Sequence, residues 1–131
     1  MRIFNGFDEI KAAAGKEIGT SEWIEITQER INRFAEATCD EQWIHVDQDR
    51  ARQELPGGKT IAHGLLSLSL APMFIRSVMG LKGLRNTLNY GADRIRYLSQ
   101  AQRHHARQDC VLPQNGNHFT HADIAHFNPP S

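Results

Sequence analysis

Asp40 and His45 lie five positions apart in ATCDEQWIHVDQ, a stretch with neither a helical nor a strand period. A carboxylate and an imidazole facing one cavity can hold a water, accept its proton and return one to carbon. Hydration of a conjugated double bond requires those steps, and positioned proton transfer is worth roughly 10²–10⁴ in rate. The spacing alone is weak evidence, because an Asp and a His close in sequence serve as caps and surface hydrogen-bonding groups in many loops. It also leaves open which residue is base and which is acid.

A second element is IAHGLL, where Gly64 opens an apolar segment. A helix starting there presents unpaired N–H groups and a partial positive charge, which suit a carbonyl oxygen acquiring negative charge. Glycine has no side chain to keep a ligand from that backbone. One preorganised donor of this kind is worth roughly 2.7–4 kcal/mol. The plainer reading is tight packing at a helix start, and the residues alone do not choose between the two. His63, next to Gly64, suits local hydrogen bonding that orients the loop better than direct chemistry. Cys39, beside Asp40, reads as a buried, inert thiol, since hydration needs no nucleophile.

The elements that position these residues follow from pattern. FDEIKAAA, Phe7 to Ala14, is helix-prone, and Gly15 stands where a left-handed cap is needed. From Gly19 to Ile26 the pattern alternates, predicting a strand that buries Ile24 and Ile26 and leaves Trp23 near an edge. Thr27 is placed to cap an amphipathic helix carrying Ile31, Phe34, Ala35 and Thr38 and ending near Cys39. Asp40 to Val46 reads as a loop, and Asp47 as the cap of a short helix through Gln53. LPGG, at 55–58, makes a turn.

GLLSLSLAPMFIRSVMG is apolar around most of its circumference and therefore predicts a buried central helix. Pro72 is the objection to an uninterrupted one. Asn86 to Leu98 predicts two short strands, or one strand bent at Gly91. Beyond Ser99 the character changes to a polar tail holding His104, His105, His118, His121 and His126, which reads as irregular. A buried helix between strands is an α+β arrangement.

Composition limits the functions available. The 131 residues suit one domain, and 15 basic against 15 acidic residues create no field to gather nucleic acid or anionic lipid. Cys39 and Cys110 are too few for a disulfide scaffold, no secretory signal pattern opens the chain, and the longest apolar run is too polar to span a bilayer. The expectation is a cytoplasmic protein with reduced thiols, acting on neither nucleic acid nor membrane. The tail histidines lack partner cysteines or carboxylates at a metal-binding spacing, so no metal is expected.

DEQWIHVD, then GGKTIAHGLLSLSLAP, then LNYGADRIRY together resemble the MaoC-like dehydratase family. Within it, the chain is similar to the nodulation protein N branch and the related (R)-specific enoyl-CoA hydratases. The resemblance runs from about Phe7 to Leu98 and implies a hot-dog fold, an antiparallel sheet wrapped around a long central helix. It also implies a homodimer with active sites near the subunit interface. The family's aspartate and histidine that act on water match Asp40 and His45, and its thioester-binding glycine matches Gly64.

Asn89 and Tyr90 fall in the family's N-Y-G motif and, with His63, are expected to line the substrate site. A serine that some of these hydratases carry farther along the helix falls on Pro72, so no role is carried over. The implied activity is addition of water to a trans-2-enoyl-CoA, or the reverse dehydration, with no cofactor beyond the coenzyme A of the substrate. Arg85, Arg94 and Arg96 suit its phosphates or a solvated strand face equally.

The domain expected from the resemblance covers residues 1–98, with an atypical His-rich tail over 99–131. The break near Ser99 resembles a changed reading frame, a point the nucleotide sequence decides. A hot-dog sheet normally continues with further apolar strands; without them part of the helix is left uncovered and stability is expected to be marginal. Two other readings stay open: a hot-dog thioesterase, and a non-catalytic acyl-thioester binding or structural subunit.

Overall fold

The computed structural model describes residues 1–86 and 88, together with the backbone of residues 107–111 and 122–125. The chain opens with strand β1 (Arg2–Asn5) and helix α1 (Phe7–Ala12). The Glu9 carboxylate reaches back to accept the Asn5 N–H at 2.7 Å, which ties strand to helix. Gly15 has φ 75°, the left-handed conformation its position predicts.

Strand β2 (Glu17–Thr20) overlaps only the start of the strand expected over 19–26. The burial pattern of that stretch nonetheless follows its alternation: Ile26 is buried, Ile24 packs against the core and Trp23 is 36% exposed. Helix α2 (Gln28–Thr38) starts where Thr27 Oγ1 accepts the Arg30 N–H at 3.2 Å, and it buries Ile31 and Ala35.

It ends at Cys39 as the sequence predicts, though by a closure that the sequence did not foretell. Cys39 adopts φ 57°, its N–H bonds to Glu36 O at 3.4 Å, and the Asp40 N–H bonds to Ala35 O at 3.1 Å. This paired closure is the Schellman motif, which usually places glycine at the left-handed position. Cys39 is also exposed, which corrects the expectation of a buried thiol.

The segment read as a loop contains one helical turn, α3 (Trp43–Val46). Helix α4 (Gln48–Glu54) follows, with Asp47 Oδ1 accepting the Arg50 N–H at 2.9 Å as a cap. Pro56–Gly58 then turn the chain, with Gly57 at φ 77°.

In place of one long central helix stand two, α5 (Gly64–Ser69) and α6 (Ala71–Val78), separated at Leu70. Pro72 has no N–H to give to the preceding turn, which accounts for a break just before it. The pair is also less enclosed than its composition implies, since Leu65 is 62% exposed and Met73 is 36% exposed.

Strand β3 (Met79–Lys82) leads out of α6 and pairs in parallel with β1, from Arg2 opposite Met79 to Asn5 opposite Lys82. Strands β4 (Arg107–Val111) and β5 (Ala122–Ala125) join β2 in an antiparallel sheet ordered β2-β4-β5. The stretch read as an irregular tail therefore supplies two strands, of which β4 pairs with β2, about ninety residues earlier, and β5 pairs with β4. The α+β composition holds; among the described residues the strands form two small sheets, not one wrap. Asn89, Tyr90, Arg94, Arg96 and the five tail histidines lie outside the described residues.

Two buried clusters hold these elements together. Ile26, Ile31, Ala62, Leu66 and Phe74 form one, with Ile24, Phe34 and Leu70 packed around it. Phe4, Ala13, Val78 and Met79 form the other, edged by Ile10, Ile18, Ile75 and Leu81. Helix α6 joins them, contributing Phe74 to the first and Val78 to the second.

Candidate active site

Asp40 is the first residue after the left-handed turn at Cys39, so the closure of α2 sets the direction in which it leaves the helix. His45 sits on α3, 8% exposed. Its Nδ1 lies 2.6 Å from the carbonyl oxygen of Ile61. A carbonyl can only accept, so Nδ1 carries the hydrogen, and a neutral ring leaves Nε2 as a free lone pair. The same two segments are also joined by the Ile61 N–H, which donates to Ile44 O at 2.9 Å.

His63 comes from the residue just before α5 and is 2% exposed. Its Nε2 lies 2.9 Å from the main-chain oxygen of Asp40 and 3.9 Å from Asp40 Oδ2. The ring stacks on His45 with centroids 3.8 Å apart and an interplanar angle of 26°. Phe34 also approaches the His63 ring, tilted by 53° with centroids 5.0 Å apart.

A side-chain oxygen of Asp40 and one ring nitrogen from each of His45 and His63 all lie within 4.8 Å of one another. Two polar atoms at such a separation are readily bridged by one water at about 2.8 Å from each. The same three residues are a candidate metal set. One ring nitrogen of each histidine donates to a backbone carbonyl, an arrangement that suits a metal-ligating imidazole and a proton-handling one alike.

Gly64 is the first residue of α5, immediately after His63. The first N–H groups of a helix have no partner within it, and the backbone dipoles leave that end partly positive. The structure thus brings Asp40, His45, His63 and Gly64 to one place. Of the substrate-site residues expected, His63 is enclosed and not open to solvent, while Asn89 and Tyr90 fall outside the described residues. Arg85 is exposed.

Two supporting residues escaped the reading of the sequence. Gln28 Nε2 donates to His45 O at 2.8 Å, and Gln28 Oε1 accepts from the buried Thr60 hydroxyl at 2.6 Å. A glutamine in the first turn of a helix gives no hint of such a long-range role. Ser67 is fully buried on α5, and among the described residues its hydroxyl has no hydrogen-bond partner, nor has Nδ1 of His63. A serine on the apolar side of a helix pattern is the one signal that pointed to Ser67.

The model of the MaoC like domain matches residues 9–100. The chain is 45% identical over 97 residues to 3-hydroxyacyl-thioester dehydratase Z of Mycobacterium tuberculosis (strain ATCC 25618 / H37Rv), covering 74% of this chain and 64% of that protein. It is 42% identical over 113 residues to Nodulation protein N of Rhizobium meliloti (strain 1021), covering 79% and 69% respectively. With Nodulation protein N of Rhizobium leguminosarum bv. viciae it shares 45% over 94 residues, 70% of this chain and 57% of the relative. The chain therefore spans less than two thirds of the length of the dehydratase it matches.

Proposed function

Because the chain belongs to the MaoC-like domain family, we propose that it is a hydro-lyase acting on acyl thioesters, adding water across a trans-2-enoyl-CoA and running the reverse dehydration. The observation that carries the reading is the grouping of an Asp40 carboxylate oxygen with a ring nitrogen each of His45 and His63, the residue before α5, with the Nδ1 bond to Ile61 O leaving His45 a lone pair on Nε2.

In the proposed reaction one water sits between Asp40 and His45. Its oxygen bonds to carbon 3 while one of its protons passes to His45 Nε2, with Asp40 holding the water by its other hydrogen. Electron density moves from the carbon–carbon double bond to the thioester oxygen, where the Gly64 N–H stabilises the enolate. The Asp40–His45 pair then returns one proton to carbon 2, so the elements of one water are added and the side chains are restored. General acid–base transfer is worth roughly 10²–10⁴ and one oxyanion donor roughly 10²–10³ in rate.

The similarity to a protein named 3-hydroxyacyl-thioester dehydratase supports the reaction class. The finer expectations, an (R)-3-hydroxyacyl product and a homodimer, rest on the family resemblance. Chiral analysis of the product and sedimentation of the purified chain test them.

Mixing the protein with crotonyl-CoA decides among the readings. Loss of the conjugated enoyl absorbance without free thiol is the expected result. Release of thiol points to a thioesterase, and neither change to a binding or structural subunit. Asp40→Asn and His45→Gln are each expected to lower hydration at least about a hundredfold, and full activity in both removes the assignment.

A further inference from the structure

Resting on the hydratase reading, we infer that His63 is a positioning residue that sets the separation of the acid/base pair, through an N–H donated to the Asp40 main chain and a ring face laid against His45. Both contacts come from one buried side chain. Nε2 meets Asp40 O at 2.9 Å, and the ring plane lies 3.8 Å, centroid to centroid, from that of His45. Asp40 O accepts only, so Nε2 carries the hydrogen and Nδ1 is the unprotonated nitrogen in a neutral ring.

Among the described residues that Nδ1 has no hydrogen-bond partner, although the ring is 2% exposed. An unpaired buried nitrogen is unfavourable. A phenylalanine of similar shape would fill the same space beside Phe34 and His45 without that cost. What phenylalanine would lose is the N–H on Asp40. The expense of keeping an imidazole is therefore explained by its donor edge.

The geometry also explains why the donor goes to the backbone. The carboxylate oxygen Oδ2 stands 3.9 Å from Nε2, beyond hydrogen-bonding distance, while the main-chain oxygen is at 2.9 Å. His63 thus holds the Asp40 backbone while leaving its carboxylate, 45% exposed, to face a water. The other tether, Ile61 O on His45 Nδ1, comes from two residues earlier in the same segment. Residues 61 and 63 accordingly fix both members of the pair relative to Gly64.

The test compares wild type with His63→Phe, which keeps a ring and loses the donor, and His63→Gln, which places a donor near the position of Nε2 and loses the ring. A displacement of about 1 Å at a reacting group can cost about a hundredfold, so kcat of His63→Phe is expected to fall by about that factor. KM should change by less than about threefold, since no ground-state contact is removed. His63→Gln should recover most of kcat. Unchanged kcat in both variants, an effect confined to KM, or equal losses in both would each overturn the proposal.

Ring-nitrogen NMR of the wild-type protein reads the same geometry without substrate. His63 is expected as the Nε2–H tautomer and His45 as the Nδ1–H tautomer. A His63 found as Nδ1–H overturns the positioning role even if the variants fail to fold. If wild type does not hydrate crotonyl-CoA the hydratase reading falls, and with it a role in setting an acid/base pair. Intact hydration with indifferent His63 variants sinks the positioning role alone.

Discussion

The two buried clusters are built by different rules. The one around Phe4, Ala13, Val78 and Met79 is wholly apolar and joins the chain's first strand to the end of α6. The one around Ile26, Ile31, Ala62, Leu66 and Phe74 borders a second set of buried groups that are polar: His45, Thr60, His63 and Ser67. The apolar cluster holds by volume and area alone. The polar neighbourhood holds by direction, since each imidazole is aimed by a particular backbone carbonyl. A fold can lose packing in the first region and keep its chemistry, whereas small rotations in the second remove it.

Phe4→Ala should give the largest stability effect. A buried phenylalanine lost to a cavity costs about 3–5 kcal/mol, read as a lower denaturation midpoint, while turnover per folded molecule stays at the wild-type value. A fall in turnover of the folded fraction would erase the distinction between the two regions. Gln28→Ala attacks the polar neighbourhood from outside the acid/base pair. It leaves the buried Thr60 hydroxyl without its acceptor and His45 O without its donor, at about 1–3 kcal/mol in stability. Unlike Phe4→Ala it should also lower hydration, and a variant equally stable and equally active would show that Gln28 does not brace the site.

The smallest effect sharpens the comparison from the opposite side. Cys39→Gly relieves a left-handed side-chain conformation but adds backbone freedom to the unfolded chain, for a net gain of up to about 1 kcal/mol. Activity should be unchanged if the Schellman closure alone directs Asp40. A gain in stability with a loss of activity would mean that the stiffness of Cys39 contributes to that direction.

Much of the scaffold was legible because its signals are local. Thr27 and Asp47 are short side chains that cap the helix beginning at the next residue, and both act as their positions predict. Pro72 marked the weak point of the apolar helix, although the extent of the break depends on packing that no residue type encodes. The candidate site was half legible. Asp40, His45 and Gly64 announce themselves by chemistry and order, but the Ile61 carbonyl that orients His45 is a backbone atom and leaves no trace in residue identity. Cys39 was unreadable for a related reason, since nothing but tertiary context forces a non-glycine residue to φ 57°. Strand β1 escaped notice because four residues, RIFN, acquire strand character from a partner 77 positions away.

That pairing bears on the order of assembly. Every tether described around Asp40 and His45 joins residues between 28 and 63, so those contacts can close once about half of the chain has left the ribosome. Strand β1 must wait for residues 79–82, and β2 must wait for residues 109–111. Distant parallel ladders form slowly because the intervening chain has to be brought round first. The contacts around Asp40 and His45 are thus placed to organise early, with β1 closing on β3 afterwards and β2 on β4 after that.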